Sequence, residues 1–435
     1  MRRAGRLGRT SWLLLMCVLC VLGVTDCRGD DWPQWGGPQR DLVWRETGIL
    51  DRLPAGKPLP RMWSVPIAEG YAGPAVADGR VYVMDRVAER EIERVWCVSA
   101  ETGEEIWKFE YQAKYKVDYP AGPRNTPVVV GDKVLTVGTM GHMHCLSTAE
   151  GRVLWKHEFV SEFDTKLPIW GMVASPLVLG EQVVTLVGGQ PNALLMAFDL
   201  ETGRELWRSL EDEGVGYCPP MLCRFGEREE IVQWHPQGVT AVEPTTGKKI
   251  WSIPFPVRFG LCIAQPRQVG NRLFLTAFYN GPLMLEVAAD GSSAKVVWRG
   301  KSSSEVRTDG LHSIMSTPVF NGTHIYGVCS YGQLRCLDAL DGKRLWETFE
   351  ATGEGRWWNA FLVQQEDRFW LHNEQGELIL ARLTPEGFES LGRTQLIDPT
   401  REVQSRLTIW SQPAFAMKSV FARNDRELIR VNLAK

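Results

Sequence analysis

The sequence predicts an all-β fold, an eight-bladed β-propeller of four-stranded antiparallel blades, from three observations. One phrase, in which Gly stands four residues before Trp, recurs along the chain, and successive Trp lie 44 to 52 residues apart. Repeats of this length that divide into short strands are typical of propeller blades. Eighteen Trp and 42 Gly among 435 residues also favour a turn-rich, aromatic β protein.

The first 25 residues are expected to be a signal peptide. Four Arg precede an apolar run at 11–24 that is too short to span a membrane comfortably. Cleavage near 25–30 would export the chain to the periplasm or outside the cell, without a transmembrane segment. A lipid anchor at Cys27 is disfavoured because Asp26 stands where a small residue is needed. Losing four Arg shifts the net charge from −3 to −7, so we expect no nucleic-acid partner.

Each repeat is expected to contain four strands. In residues 316–350, the segments STPVFN, THIYGVC, LRCLDA and RLWETFE are separated by the turns NG, SYGQ and LDGK. The Gly of each phrase can take the positive φ of a tight hairpin. The Trp that follows is expected to fill the wedge between neighbouring blades. These structural Trp are Trp63, Trp107, Trp155, Trp207, Trp251, Trp298 and Trp346.

The predicted propeller covers residues 61–435 and follows an N-terminal segment at 26–60. The seventh unit lacks the Trp phrase, and the eighth has sequence for only three strands. The missing strand is expected from 61–67, whose pairing with the C-terminal blade would close the ring and leave no open sheet edge. The blades are predicted at about 71–110, 125–159, 174–209, 218–255, 263–300, 315–350, 359–397 and 409–435.

The repeated phrase, for example AFDLETGRELW at 197–207, resembles the blade motif of the quinoprotein-like (PQQ-like) β-propeller repeat family. The segment DWPQWGGPQRD at 31–41 is similar to the start of secreted bacterial members. Eight blades, an export signal and this repeat are also similar to the outer-membrane assembly factor BamB. The resemblance covers 61–435. It implies the fold and not one function, because the family includes enzymes, scaffolds and sensor domains.

The resemblance also raises the question of a cofactor. In the quinoprotein dehydrogenases of this family, pyrroloquinoline quinone (PQQ) lies against a Trp and a disulfide between adjacent cysteines. Glu and Asn ligate a calcium ion there, and an Asp acts as the base. The present sequence has no adjacent Cys pair, and its Trp phrases fall on outer strands. We therefore predict no catalytic residues and no cofactor, with PQQ and calcium as the alternative.

Cysteine and histidine are the remaining candidates for redox or metal chemistry. Three Cys stand ten residues before their Trp, where other blades have Ala, and are expected to be small buried side chains. These are Cys97, Cys145 and Cys336. A disulfide between Cys218 and Cys223 stays open. His142 and His144 share one face of a strand, but no third ligand is evident, so we predict no metal site.

The loops before the inner strands form the candidate binding surface. In the family these loops surround the central channel on one face of the disc. Arg and Trp gathered there suit sugars or peptides, although packing between blades is an equal alternative. The candidates are Arg124, Asn125, Trp170, Tyr217, Arg258, His312, Arg356, Trp357, Trp358, Asn359 and Trp410.

Three functions are compatible with these observations. The first is an exported, non-catalytic scaffold that binds a protein or an extracellular polymer such as a glycan through the loop face. We favour it because it needs no cofactor. The alternatives are a PQQ-dependent oxidoreductase, which binding of PQQ would support, and a BamB-like envelope assembly factor, which acylation of Cys27 would support. The sequence leaves the ligand and the oligomeric state open.

Overall fold

The computed structural model describes residues 30–54 and 56–435. The predicted signal peptide and Cys27 lie outside the described residues. The described chain forms eight four-stranded antiparallel sheets and one separate two-stranded hairpin. This confirms the predicted eight-bladed propeller. No helix among these residues is long and apolar enough to cross a membrane.

Seven blades each use four consecutive strands, which run in chain order from the inner to the outer strand. Blade 1 contains β2 (Ala75–Ala77), β3 (Arg80–Val87), β4 (Ile92–Ser99) and β5 (Glu105–Gln112). Blade 2 contains β6 (Val128–Val130), β7 (Lys133–Val137), β8 (His142–Ser147) and β9 (Val153–Glu158). Blade 3 contains β10 (Leu177–Leu179), β11 (Gln182–Gly189), β12 (Ala193–Asp199) and β13 (Glu205–Ser209). Blade 4 contains β14 (Met221–Phe225), β15 (Arg228–His235), β16 (Gly238–Val242) and β17 (Lys249–Pro254).

The remaining consecutive blades follow the same order. Blade 5 contains β18 (Arg267–Val269), β19 (Arg272–Ala277), β20 (Gly281–Val287) and β21 (Ala294–Arg299). Blade 6 contains β22 (Val319–Asn321), β23 (His324–Val328), β24 (Leu334–Asp338) and β25 (Arg344–Thr348). Blade 7 contains β26 (Ala360–Gln365), β27 (Arg368–Asn373), β28 (Glu377–Thr384) and β29 (Gly387–Gln395). Short helical turns lie at Ala88–Arg90, Phe159–Phe163 and Arg258–Gly260, and the separate hairpin is β30 (Arg401–Val403) with β31 (Arg406–Thr408).

Blade 8 joins the two ends of the chain. Its inner three strands are β32 (Ala414–Ala416), β33 (Ser419–Arg423) and β34 (Glu427–Asn432), and its outer strand is β1 (Arg61–Pro66). The strand β1 pairs antiparallel with β34. This confirms the predicted closure of the ring. The polar groups of β34 are therefore paired on both sides, as in every other third strand.

The repeated Gly and Trp join each blade to the next. Gly203 has φ +71°, and a Cβ added to it would lie 2.7 Å from the indole of Trp155 in the preceding blade. The Trp155 Nε1–H donates to the Leu200 carbonyl of the following blade at 2.9 Å. The same indole-to-carbonyl bond joins Trp63 to Ala100, Trp107 to Thr148, Trp207 to Pro244, Trp298 to Ala339 and Trp346 to Thr384. The repeated phrase therefore supplies an interblade contact.

Trp251 departs from this pattern. Its Nε1–H donates to the Glu230 carboxylate of its own blade at 2.8 Å, and Glu230 is fully buried. In the following blade, Gly291 packs against Glu230, since an added Cβ would lie 2.2 Å from Oε1. Gly291 belongs to the fifth blade, whose copy of the phrase departs most from the others. Here the glycine packs against a carboxylate, whereas in the other copies of the phrase it packs against an indole.

The N-terminal segment crosses the end of the channel that carries the turns between first and second strands. Trp32 and Trp44 are both buried, and Trp44 packs against Phe415 with ring centroids 5.1 Å apart. The segment thus becomes part of the core of the ring. Its backbone hydrogen bonds join Trp32 to Val76, Pro33 to Val129, Trp44 to Gln364 and Leu50 to Leu433.

A buried arginine fixes the middle of this segment. Arg40 Nη1 donates to the Pro176 carbonyl at 2.7 Å. From the opposite direction, Arg267 Nη2 donates to the Asp41 carbonyl at 2.6 Å. Burial lowers the pKa of Arg40 to about 10. These bonds tie the segment to the third and fifth blades across this end of the channel.

Candidate functional site

A cavity of about 210 Å³ occupies the other end of the channel. Its wall is built from the loops that precede the inner strands, and we call this side of the disc the loop face. Every blade contributes one or more side chains, and six blades contribute an aromatic ring. We define the rim by one residue from each blade in order: Tyr71, Tyr119, Trp170, Tyr217, Ile263, Ile314, Trp357 and Trp410. Trp35 of the N-terminal segment forms part of the floor.

The aromatic side chains of the rim pack against one another. The ring centroid of Trp410 lies 6.1 Å from that of Tyr119 and 6.4 Å from that of Trp357. Trp170 and Tyr217 are 5.3 Å apart across the next pair of blades. Such distances allow tilted and edge-to-face contacts, which are favourable for aromatic rings. The rim is therefore a packed aromatic surface.

The β30–β31 hairpin, inserted between blades 7 and 8, holds Trp410. The Trp410 Nε1–H donates to Glu374 Oε2 at 3.0 Å, and Arg406 Nε donates to Glu374 Oε1 at 2.6 Å. Glu374 is only 1% exposed, and this burial raises its pKa. Arg406 also lies 5.2 Å over the ring of Trp358. The hairpin thus orders two aromatic residues of the loop face.

A second arginine orders the neighbouring part of the rim. Arg356 makes a bidentate ion pair with Glu305, with Nε–Oε1 at 3.0 Å and Nη2–Oε2 at 2.9 Å. It also donates to the Tyr279 hydroxyl at 3.0 Å and lies 4.5 Å over the ring of Trp357. Trp357 itself has φ +68°, an unusual backbone conformation for a bulky residue. These contacts stabilise Trp357 in that conformation.

Arg124 lines the cavity, but its guanidinium is occupied. It donates to the carbonyls of Gly122 at 3.1 Å, Asp118 at 3.0 Å and Tyr119 at 2.6 Å. It also lies 4.9 Å over the ring of Tyr71. Burial lowers the pKa of Arg124. The guanidinium of Arg124 therefore stabilises the loop to which this residue belongs.

The structure separates the eleven predicted site residues into three groups. Five line the cavity: Arg124, Trp170, Tyr217, Trp357 and Trp410. Asn125, His312 and Asn359 are buried, with Asn125 donating to the Ala174 carbonyl and His312 bonded to the Phe278 carbonyl at 3.1 Å. The others stand beside the cavity on the same loops: Arg258, Arg356 and Trp358.

Several cavity residues escaped the sequence reasoning. Tyr71 lies four residues before its inner strand, as Tyr217 and Trp410 do, so aligning the repeats on the inner strand would have found it. Tyr119 lies nine residues before β6 and has no equivalent at that position in the lining. Trp35 could not be found by that route. It belongs to the N-terminal segment, which has no repeat partner, and only the crossing of the channel brings it to the floor.

The cavity does not suit PQQ with calcium. Calcium is held by carboxylate and amide oxygens, but none of the described residues lining the cavity is Asp, Glu or Asn, and none is Cys. All seven cysteines in the described ranges are buried free thiols, including Cys218 and Cys223. Gln412 supplies a carboxamide, but the described wall lacks the carboxylates that would balance the charge of the metal.

The two histidines of β8 lie away from the cavity. Their rings pack against Tyr111, at 5.4 Å for His142 and 4.5 Å for His144. Burial lowers the pKa of His144 to about 3. Within the described part of the chain, no three His, Cys, Asp or Glu side chains are grouped so that they could hold a metal.

Blade 4 contains a chain of polar groups in the order of a nucleophilic triad. Asp212 Oδ2 is 2.5 Å from His235 Nδ1, and His235 Nε2 is 3.0 Å from Thr240 Oγ1. Thr240 Oγ1 is in turn 2.8 Å from the hydroxyl of Ser252. However, Thr240 is only 2% exposed. A substrate could not reach this hydroxyl, so the chain of hydrogen bonds ties strands of one blade together.

Sequence comparison relates this chain to one family of known proteins. The family model described as outer membrane protein assembly factor BamB matches residues 91–289 and 237–431, well over half of the chain. The outer membrane protein assembly factor BamB of Burkholderia pseudomallei is 25% identical over 232 residues, which are 51% of this chain and 54% of that protein. The chain thus spans about half the length of this relative.

Solved structures match the fold over a larger share of the chain. BamB from Moraxella catarrhalis superposes with a TM-score of 0.56 at 12% identity, covering 86% of this chain and 97% of that one. A europium-containing methanol dehydrogenase gives a TM-score of 0.61 at 12% identity, covering 92% and 89% of the two chains. At such identities the likeness establishes the shared propeller fold alone.

Proposed function

Because this chain belongs to the family described as outer membrane protein assembly factor BamB, we propose that it is an exported, non-catalytic binding module of envelope protein assembly. Its partner is a protein that docks on the loop face. The observation that carries the proposal is the rim, where loops from all eight blades converge on one cavity. Convergent aromatic side chains around a pocket are typical of binding hot spots.

The chemistry of the rim supports binding over catalysis. Its charged neighbours are used in holding aromatic rings: Glu374 holds Trp410, and Glu305 holds Arg356 against the ring of Trp357. A general acid or base must reach a substrate proton, and these carboxylates are committed to internal partners. We propose that the module acts without PQQ, since none of the described lining residues supplies a carboxylate for calcium.

Export is the part of the proposal that depends on the N-terminus. The cationic and apolar pattern of residues 1–25 supports secretion. In the cell envelope, the loop face would be exposed to the outer membrane proteins whose assembly the family name describes. The N-terminal segment then has a structural role, because it crosses the far end of the channel and is bonded to several blades there.

Complementation of a deletion strain tests this function. Phe259 lies on the loop face and is 63% exposed, whereas Leu340, in the turn between β24 and β25 on the opposite face, is 65% exposed. The wild-type gene and Leu340→Glu should restore the amounts of outer-membrane β-barrel proteins, and Phe259→Glu should not. Unchanged amounts of β-barrel proteins in the deletion strain, or full rescue by Phe259→Glu, would contradict the proposal.

A further inference from the structure

We infer that the rim cavity receives one large, uncharged, apolar side chain, such as an indole or phenyl ring, from an exposed segment of the protein partner. The inference rests on the proposed function and adds the chemistry of the contact. It follows from the size of the cavity, from the hydrogen bonds already made by its wall, and from the surface around its mouth.

The volume of the cavity limits what it can hold. A cavity of about 150 Å³ in another protein takes up benzene, and pockets for drug-sized ligands begin near 300 Å³. The rim cavity, at about 210 Å³, lies between these sizes. It therefore has room for one aromatic side chain.

Several polar groups of the wall already have partners within the protein, whereas the buried Tyr71 hydroxyl and Trp357 indole N–H have none among the described residues. Ser175 Oγ donates to the Thr126 carbonyl at 3.3 Å, and Thr317 Oγ1 accepts the Gln265 N–H at 3.1 Å. The Arg124 guanidinium is bonded to three carbonyls of its own loop. A sugar, with several hydroxyls to satisfy, would lose more hydration here than an indole, whose single N–H needs one partner.

The same wall disfavours a charged group. A cationic side chain would meet no carboxylate, because none of the described lining residues is Asp or Glu. An anion would meet only Arg124, whose guanidinium is bonded elsewhere. Burying an unpaired charge is costly, so an uncharged side chain is the occupant that this wall accepts.

Exposed apolar side chains continue the surface outward from the mouth. They lie on four different loops of the loop face, and we call them the collar: Ile169 (54% exposed), Phe259 (63%), Val306 (63%) and Leu407 (54%). Phe259 contacts Tyr279, with ring centroids 5.6 Å apart, and Tyr279 binds Arg356 beside the rim. The residues flanking an anchor side chain would therefore also meet apolar surface.

The rim needs little rearrangement before binding. The ion pairs of Arg356 with Glu305 and Arg406 with Glu374 hold its aromatic rings from behind. A preformed pocket loses less side-chain entropy when an anchor enters. This supports recognition of a single side chain, for which the available binding energy is small.

Binding of 5-fluoro-3-methylindole, measured by fluorine NMR on the mature chain, tests the inference. Val173 lines the cavity, so Val173→Trp should fill it, and Val296→Trp on the exposed outer strand of blade 5 is the matched control. We expect saturable binding at one site, weakened at least tenfold by Val173→Trp and unchanged by Val296→Trp. Circular dichroism and thermal unfolding establish that both variants are folded.

The contrary outcomes are equally specific. Equal affinity of wild type and Val173→Trp for the indole, or no saturable binding, overturns the inference. Saturable binding of N-acetylglucosamine disaccharide that Val173→Trp abolishes, in the absence of indole binding, assigns the cavity to glycans and also overturns it. If folded Val173→Trp restores β-barrel proteins as well as wild type does, the cavity is not the anchor site. Phe259→Glu then still decides the proposed function by itself.

Discussion

Gly203 and Trp155 belong to neighbouring blades and pack directly against each other. A Cβ on Gly203 would lie 2.7 Å from the indole, closer than van der Waals contact allows. The indole N–H then reaches past Gly203 to the Leu200 carbonyl at 2.9 Å. The glycine of one phrase and the tryptophan of the preceding phrase thus form a single contact between two blades.

The contact between Gly203 and Trp155 predicts that two glycine substitutions lower the free energy of unfolding by different amounts. Gly203 and Gly79 have nearly the same φ, +71° and +70°, but an added Cβ at Gly79 meets nothing within 4 Å. We expect Gly79→Ala to lower the free energy of unfolding by about 1 kcal/mol through its backbone alone. Gly203→Ala should cost about 2 kcal/mol more because the indole must move. Urea denaturation measures both, and equal losses would contradict the interblade contact.

Because the carboxyl group of Glu230 is buried, we predict that replacing it stabilises the protein and that the gain depends on pH. Burial raises its pKa above the ordinary value of 4.5, so the folded chain binds this proton more tightly than the unfolded chain. The contribution of Glu230 to stability therefore falls as pH rises from about 4.5 through the raised pKa. In Glu230→Gln, the amide oxygen can still accept the Trp251 N–H. We expect the variant to be more stable than wild type at pH 7.

Urea denaturation of Glu230→Gln and wild type at pH 4 and pH 7 checks this expectation. Glu46 and Glu374, whose pKa values are also raised by burial, are present in both proteins, so their contributions cancel in the difference. The gain should shrink at pH 4. A variant that is less stable at pH 7 would show that the carboxylate stabilises the blade. A gain that is independent of pH would show that titration of Glu230 is not its cause.

The N-terminal segment is predicted to be part of the core. Trp44 is 1% exposed and contacts Trp370 and Phe415. We expect Trp44→Ala to lower the free energy of unfolding by about 3–5 kcal/mol, as for other buried aromatic residues. Met62→Ala, at a side chain that is 53% exposed, should change it by less than about 0.5 kcal/mol. A small loss for Trp44→Ala would mean that the segment detaches readily.

Titration with PQQ and calcium is expected to give no saturable signal. The described wall of the cavity supplies no carboxylate for the metal. Calorimetry and Trp fluorescence, corrected for absorption by the quinone, measure this directly. One-to-one binding would refute the proposal of a cofactor-free module, and alcohol or sugar oxidation would then be assayed.

The repeat made the fold predictable, because one phrase marks the outer strand of most blades. Even the closure by β1 could be inferred, since Trp63 stood at the right spacing before the first blade. The site was less accessible to this reasoning. The rim lies on loops that vary from blade to blade, so Asn125 and Trp170 looked equivalent although one is buried beneath the other's loop. Trp35 reaches the cavity only through tertiary structure.

The pairing of β1 with β34 has a consequence for how the protein is made. Arg61 and Glu427, which form an ion pair across these strands, are 366 residues apart in sequence. During synthesis, β1 has no partner until almost the entire chain has left the ribosome. Leu50 must also wait for the Leu433 backbone. A chain released before β34 has been made would therefore lack the partner of β1 and keep an exposed sheet edge, which proteases and chaperones can recognise.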